Sequence, residues 1–204
     1  MKNIKTYIVE KLKISKNQKI KYTLFPKTRD ELEEMIYKEI EENGNECSLN
    51  HIDVSKITNL SGLFTFFKDF NGDISEWDVS NVNKMDYMFY EAKFNGDIYN
   101  WDVSNVIATT MMFSGSEFNG DISEWDISNV EYMTSMFSYS NFNKDISKWD
   151  VSNVKNMEDM FNNAYKFNKD ISEWQISSNC NVYNMFKDCK IKDVYKPFKN
   201  GKRI

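Results

Sequence analysis

Histidine is nearly absent from this chain: His51 is the only one in 204 residues. No nucleophile sits in a recognisable activating motif around it, so enzyme chemistry has little to stand on and no catalytic residue is assigned. Cysteine is scarce too. Cys47, Cys180 and Cys189 form an odd set without C-x-x-C spacing, which argues against a disulfide framework and against a zinc site. They read as ordinary small residues, and the expectation is no metal and no cofactor. Long apolar runs are missing as well. Nothing approaches the roughly 18 apolar residues of a membrane helix, so no membrane span is expected. The first residues, M-K-N-I-K-T-Y-I-V-E-K-L-K-I-S, break every apolar group with Lys or Glu and lack the apolar core of a signal peptide. A cytoplasmic or virion-associated location is therefore expected over a secreted one.

Aromatic residues, by contrast, make up 15% of the chain, far above what disorder tolerates. Charge is unevenly placed within a net of -5. Residues 1–29 carry nine Lys or Arg against Glu10 alone, a net of +8, and residues 187–204 carry seven against Asp188 and Asp193, a net of +5. The body between them is therefore -18. An acidic body repels nucleic acid and favours a basic partner or cations. No nucleic-acid role is expected.

Repetition is the dominant signal. Trp77, Trp101, Trp125, Trp149 and Trp174 are all the tryptophans of the protein, at spacings of 24, 24, 24 and 25 residues. A fixed period in this range is a repeat-architecture signature. The stretch F-N-G-D-I-S-E-W-D-I-S-N-V-E-Y-M-T-S-M-F, Phe118 to Phe137, is the clearest copy. An earlier copy, with Ile52 in the Trp position, aligns 25 residues ahead, so about six turns can be counted; the pattern decays after Asn179.

Before the array, Ile4, Tyr7, Ile8 and Leu12 predict a short amphipathic helix over 3–14, suited to docking on the protein's own edge or on a membrane surface or partner. Alternation over Lys19 to Phe25, ending at Pro26, predicts a strand. Thr28 and Glu31 form a capping box, and Asn43-Gly44 a stop, around a helix whose stripe is Leu32, Met35, Ile36 and Ile40. A strand and helix ahead of a repeat array suit a cap. The expected organisation is an N-terminal cap over 1–48, a repeat body over 49–186 and a C-terminal cap or tail over 187–204.

Within one turn, Ile122, Trp125, Ile127 and Val130 match the apolar spacing of a leucine-rich repeat. Alternation predicts a short strand over Glu124 to Ser128 with Trp125 and Ile127 inward. Val130, Met133, Met136 and Phe137 fall at helical spacing and predict a short helix packed on that strand. Asn119-Gly120 reads as a tight turn with positive φ. The fold class so expected is α/β: a leucine-rich-repeat-like solenoid of about six strand-plus-short-helix turns. Its interior columns of Ile, Trp, Val, Met and Phe leave no room for a cofactor.

Outward positions carry the charge. Asp78, Asp102, Asp126 and Asp150 form one column, and Glu76 and Glu124 belong to a second that also holds Asn100, Lys148 and Glu173. Like charges facing each other across neighbouring strands cost several tenths of a kcal/mol each, so something must offset them. Two readings stand: each Asp closes an Asx-type turn, or the column is an acidic ribbon for Lys or Arg of a partner. The column Asp73, Asp97, Asp121, Asp145 and Asp170 is read as turn chemistry. A calcium loop at Asp69 to Asp73 fails in later turns, where Lys93, Glu117, Asn141 and Lys166 replace the first Asp.

The words F-N-G-D-I-S-E-W-D-V-S-N-V followed by x-x-M-x-x-M-F resemble the repeat of BspA-type leucine-rich repeat surface proteins of bacteria, a type also found in phage-encoded proteins. The resemblance covers Leu49 to Phe186, and residues 26–53 look like the leader that precedes such arrays. It implies a leucine-rich-repeat-like solenoid and a role in protein binding or adhesion without enzymatic activity. The leading expectation is thus a non-catalytic protein-binding module using Glu76, Asp78, Asp102, Glu124, Asp126 and Asp150. The alternative is a structural component of a phage or cell-surface assembly, docking through the basic ends Lys2 to Lys21 and Lys187 to Arg203.

Overall fold

In the computed structural model, residues 21–204 are described. The helix expected over 3–14 lies outside them, as does the start of the segment expected as a strand over 19–25. Its described part holds only Leu24 in a single parallel bridge to Ile52.

Helix α1 spans Arg29–Asn43. It starts where its sequence says it should: the Thr28 side chain accepts from the Glu31 amide at 3.2 Å, satisfying a donor that a helix start leaves open, and the Glu31 carboxylate reaches back past the N-cap to accept from the Lys27 amide at 2.7 Å. It stops at Gly44, whose φ of 82° only glycine adopts without strain and whose N–H reaches the Ile40 carbonyl at 2.8 Å. Leu32 and Ile36 are fully buried against the repeat body. Arg29 Nε donates to the Ser61 carbonyl at 2.8 Å, which closes part of the first turn's open edge.

The repeat body departs from expectation. Besides α1, the described residues hold a single 3-10 turn, Asp193–Tyr195, and one antiparallel pair, β1 Phe198–Lys199 with β2 Lys202–Arg203. The leucine-rich-repeat-like α/β solenoid of strand-plus-helix turns is therefore not the fold. What joins the copies is a line of isolated parallel bridges one repeat apart: Asn59 to Lys84, Ala108, Tyr132, Asn156 and Asn181 in succession.

The helix expected at Val130 to Phe137 fails for a reason visible in its hydrogen bonds. Met133, Ser135, Phe137 and Tyr139 donate their amides forward to the carbonyls of Asn156, Glu158, Met160 and Asn162 in the next copy, at 2.8 to 2.9 Å. Met136, Ser138 and Ser140, alternating with them, close four-residue turns instead, to the carbonyls of Met133, Ser135 and Phe137. Every second amide is thus committed to the neighbouring copy, and an α-helix, which needs each amide for the carbonyl four residues back, cannot form. The alternation forces left-handed backbone at Ser135 (φ 54°) and Tyr139 (φ 55°); the Ser135 position is also left-handed at Tyr87, Met111, Asp159 and Asn184, and the Tyr139 position at Glu91, Gly115, Asn163 and Asp188.

The expected strand at Glu124 to Ser128 is likewise replaced, here by two turns: the Trp125 amide donates to the Ile122 carbonyl and the Val130 amide to the Ile127 carbonyl. Trp125 and Ile127 still point inward and are buried. Gly72, Gly96 and Gly120 do not have the positive φ expected of Asn-Gly. At Gly72 the need is space: a Cβ there would lie 1.9 Å from the Cys47 carbonyl oxygen.

Burial of the repeated apolar set forms one continuous core. Phe64, Phe89, Phe113, Phe137, Phe161 and Phe186 stack in a column with ring centroids 5.2 to 5.8 Å apart. Phe70, Phe94, Phe118, Phe142 and Phe167 form a second at 6.2 to 6.3 Å. The two columns touch, as at Phe113 and Phe118, 4.2 Å apart. At the far end, Asn200 and Gly201, both at positive φ, turn β1 into β2, and Phe198 bridges to Gln175.

Candidate functional site: the acidic columns

The residues expected to bind lie where the turns leave the core. Glu76, Asp78, Asp102, Glu124, Asp126 and Asp150 are all exposed. Because the copies stack in register, the four Asp residues line one side of the body, one copy apart, and Glu76 and Glu124 lie two copies apart beside them. They form a surface, not a cleft.

What holds each Asp is local. Oδ1 of Asp78, Asp102, Asp126 and Asp150 accepts the amide of Ser80, Ser104, Ser128 and Ser152, two residues on, at 3.0 to 3.1 Å. In the first two copies the serine hydroxyl donates to the same oxygen at 2.6 Å. These are Asx turns. The hydroxyl of Ser104 and then its amide hold the Asp102 carboxyl below the ordinary carboxylate range, and Ser152 does the same for Asp150. The bonds supply the compensation that a column of like charges needs. Lysine supplies more: Lys148 Nζ lies 2.7 Å from Glu124 Oε1, one copy away. Among the described residues Glu76 gives only its backbone amide, to Asn50 Oδ1 at 3.0 Å.

The second Asp column repeats the device. Asp73, Asp121, Asp145 and Asp170 accept from the amides of Ser75, Ser123, Ser147 and Ser172, and Asp97 from that of Tyr99, all at 2.9 to 3.0 Å. Burial pushes the Asp73 carboxyl up, but donors from Ser75 and Asn50 outweigh it and leave it lowered. Asp69 pairs with Lys93 at 2.7 Å, and no group of three or more potential metal ligands occurs among the described residues. His51 is half-buried with Nε2 3.2 Å from Glu39 Oε1 of α1. The three cysteines are free, and burial raises the thiol of each.

Asparagines hold the surface together, a role not expected from their sequence positions. Nδ2 of Asn81, Asn105, Asn129 and Asn153 donates to the carbonyl of Ser55, Ser80, Ser104 and Ser128 in the preceding copy, each at 2.8 Å. Oδ1 of Asn71, Asn95, Asn119 and Asn143 accepts the amide of Asn95, Asn119, Asn143 and Asn168 in the following copy, at 2.8 to 3.0 Å. The words S-N-V and F-N, repeated at the Trp period, were the available signal.

The chain belongs to the family described as Mycoplasma protein of unknown function, DUF285, whose profile matches residues 30–140 and 111–196. That assignment replaces the BspA-type leucine-rich repeat resemblance. No curated protein and no solved structure matches the chain. No helix among the described residues is long and apolar enough to cross a membrane.

Proposed function

We propose that the protein is a non-catalytic protein-binding module whose acidic side, built from Glu76, Asp78, Asp102, Glu124, Asp126 and Asp150, engages a basic protein partner. One observation carries the reading. In each of the four Asp residues the Asx turn occupies Oδ1, while Oδ2 has no hydrogen-bond partner among the described residues. The turn therefore fixes each carboxylate without using it up. A row of fixed carboxylates loses little side-chain entropy on meeting Lys or Arg, which is how preorganisation favours binding. The continuous core beneath the row supports the non-catalytic part of the reading.

The test separates charge from structure. Asp102→Asn, Asp126→Asn and Asp150→Asn together keep the Oδ1 acceptor and remove three charges. Binding partners captured by the wild-type chain are expected to be lost from the triple variant and to dissociate as salt rises. Retention of the same partners by a folded triple variant would exclude the acidic row as the binding surface.

A further inference from the structure

A groove of a different character lies at the α1 end of the molecule. Among the described residues, Tyr37, Ile40, Phe66 and Phe67 form its floor, and Asp30, Glu33, Glu34 and Glu41 line it with a single lysine, Lys38. Phe66 is 83% exposed and Tyr37 56%, the former the most exposed large apolar side chain among the described residues. Exposed aromatics beside one another with an acidic rim are what an amphipathic cationic segment requires: apolar contact at the centre and charge at the edge.

The chain contains such a segment. Residues 1–20 carry Ile4, Tyr7, Ile8 and Leu12 among Lys2, Lys5, Lys11, Lys13, Lys16 and Lys19. Their attachment point is close to the groove. The Thr23 amide donates to the His51 carbonyl at 2.9 Å, and the His51 ring meets Glu39 of α1. At about 1.5 Å per helical residue, Glu39 to Glu33 is roughly 9 Å along the axis, while twenty residues span about 30 Å as a helix and about twice that extended. A tether this short holds the segment at an effective concentration in the millimolar range.

We propose that the groove formed by Tyr37, Phe66 and Phe67 is the docking site of the chain's own residues 1–20, with the segment's lysines meeting Glu34 and Glu41 and its Ile4/Tyr7/Ile8/Leu12 set covering the aromatic floor. The site is independent of the Asp row, and it makes α1 an interface on both faces: Leu32 and Ile36 against the repeats, Tyr37 and Ile40 toward the segment.

Zero-length carbodiimide crosslinking of the full chain, in an equal mixture of ordinary and 15N-labelled protein, tests this. The expected result is lysine-to-carboxylate crosslinks from residues 2–19 to Glu33, Glu34 or Glu41, formed within one copy. They should fall at least fivefold in Phe66→Ala and in Tyr37→Ala, with the far-ultraviolet dichroism of both variants unchanged. Crosslinks only between copies, crosslinks spread over the acidic columns, or groove crosslinks undiminished in both variants would overturn the proposal. Because Phe66 and Tyr37 are exposed, both variants are expected to fold; should Phe66→Ala unfold the chain, the Glu34→Lys and Glu41→Lys pair, with loss of the same crosslinks expected from Glu33, decides the matter.

Discussion

The indole Nε1 of Trp125 donates to the carbonyl of Ile98, in the preceding copy, at 3.1 Å. The same bond recurs from Trp77 to Leu49, Trp101 to Ile74, Trp149 to Ile122 and Trp174 to Ile146. Each tryptophan thus fills the core and gives a second donor to a carbonyl that already accepts an amide within its own turn, as Ile98 does from Trp101. Trp125→Ala should cost about 3 to 5 kcal/mol through cavity formation. Trp125→Phe keeps most of the volume and leaves the Ile98 carbonyl with the Trp101 amide, 3.2 Å away, as its donor, so only the net worth of one hydrogen bond, about 0.5 to 1.5 kcal/mol, is expected. Chemical denaturation of both variants checks the order.

Asn129 tests the asparagine column. Its Nδ2 reaches the Ser104 carbonyl at 2.8 Å, at an exposed edge where water can replace a lost donor. Asn129→Ala should therefore cost only about 0.5 to 1.5 kcal/mol. The substitutions Asn105→Ala and Asn129→Ala combined should cost more or less than their sum, since Ser104 lies between the two bonds; a double-mutant cycle measures the coupling.

Tyr139 is exposed and left-handed, with φ 55°. Any residue with a Cβ pays about 1 kcal/mol or more for that backbone, and a β-branched one pays most. At this position Tyr139→Gly should be more stable than Tyr139→Ala by about 1 kcal/mol, and Tyr139→Val should be the least stable of the three. This reverses the usual order of glycine and alanine, so thermal unfolding of the set checks the backbone assignment directly. An α-helix at this site would give the opposite order.

Acid should destabilise the protein through its Asx turns. The Asp102 and Asp150 carboxyls are held low in the folded chain by serine hydroxyl and amide donors. A depressed folded-state pKa contributes stability that is fully present above the unfolded value, about 3.9, and is lost as pH falls through the folded value. The denaturation midpoint should be flat above about pH 5 and decline below about pH 4. Asp102→Asn with Asp150→Asn should make that decline shallower, while leaving the midpoint near neutral pH less affected than Asp102→Ala with Asp150→Ala, because asparagine still accepts from the serine amide. Midpoints measured from pH 7 down to pH 2 decide it.

Much of this molecule was determined by its sequence alone. The period of the tryptophans, the inward set Ile122, Trp125, Ile127, Val130, Met133, Met136 and Phe137, and the bounds of α1 all follow from apolar spacing and capping chemistry, which act over a few residues and do not depend on what lies across the fold. The Asx reading of the Asp columns was legible for the same reason, since the serine amide two residues on is always within reach. Secondary structure inside the repeat was a tertiary decision. Met133, Met136 and Phe137 have helical spacing, but the carbonyls of Asn156, Glu158 and Met160 in the next copy compete for the amides that a helix needs, and a stack of identical copies offers that alternative to every turn at once. The exposed pair Tyr37 and Phe66 is tertiary too: they are 29 residues apart in sequence, and only the packing of α1 on the first copy brings them to one groove.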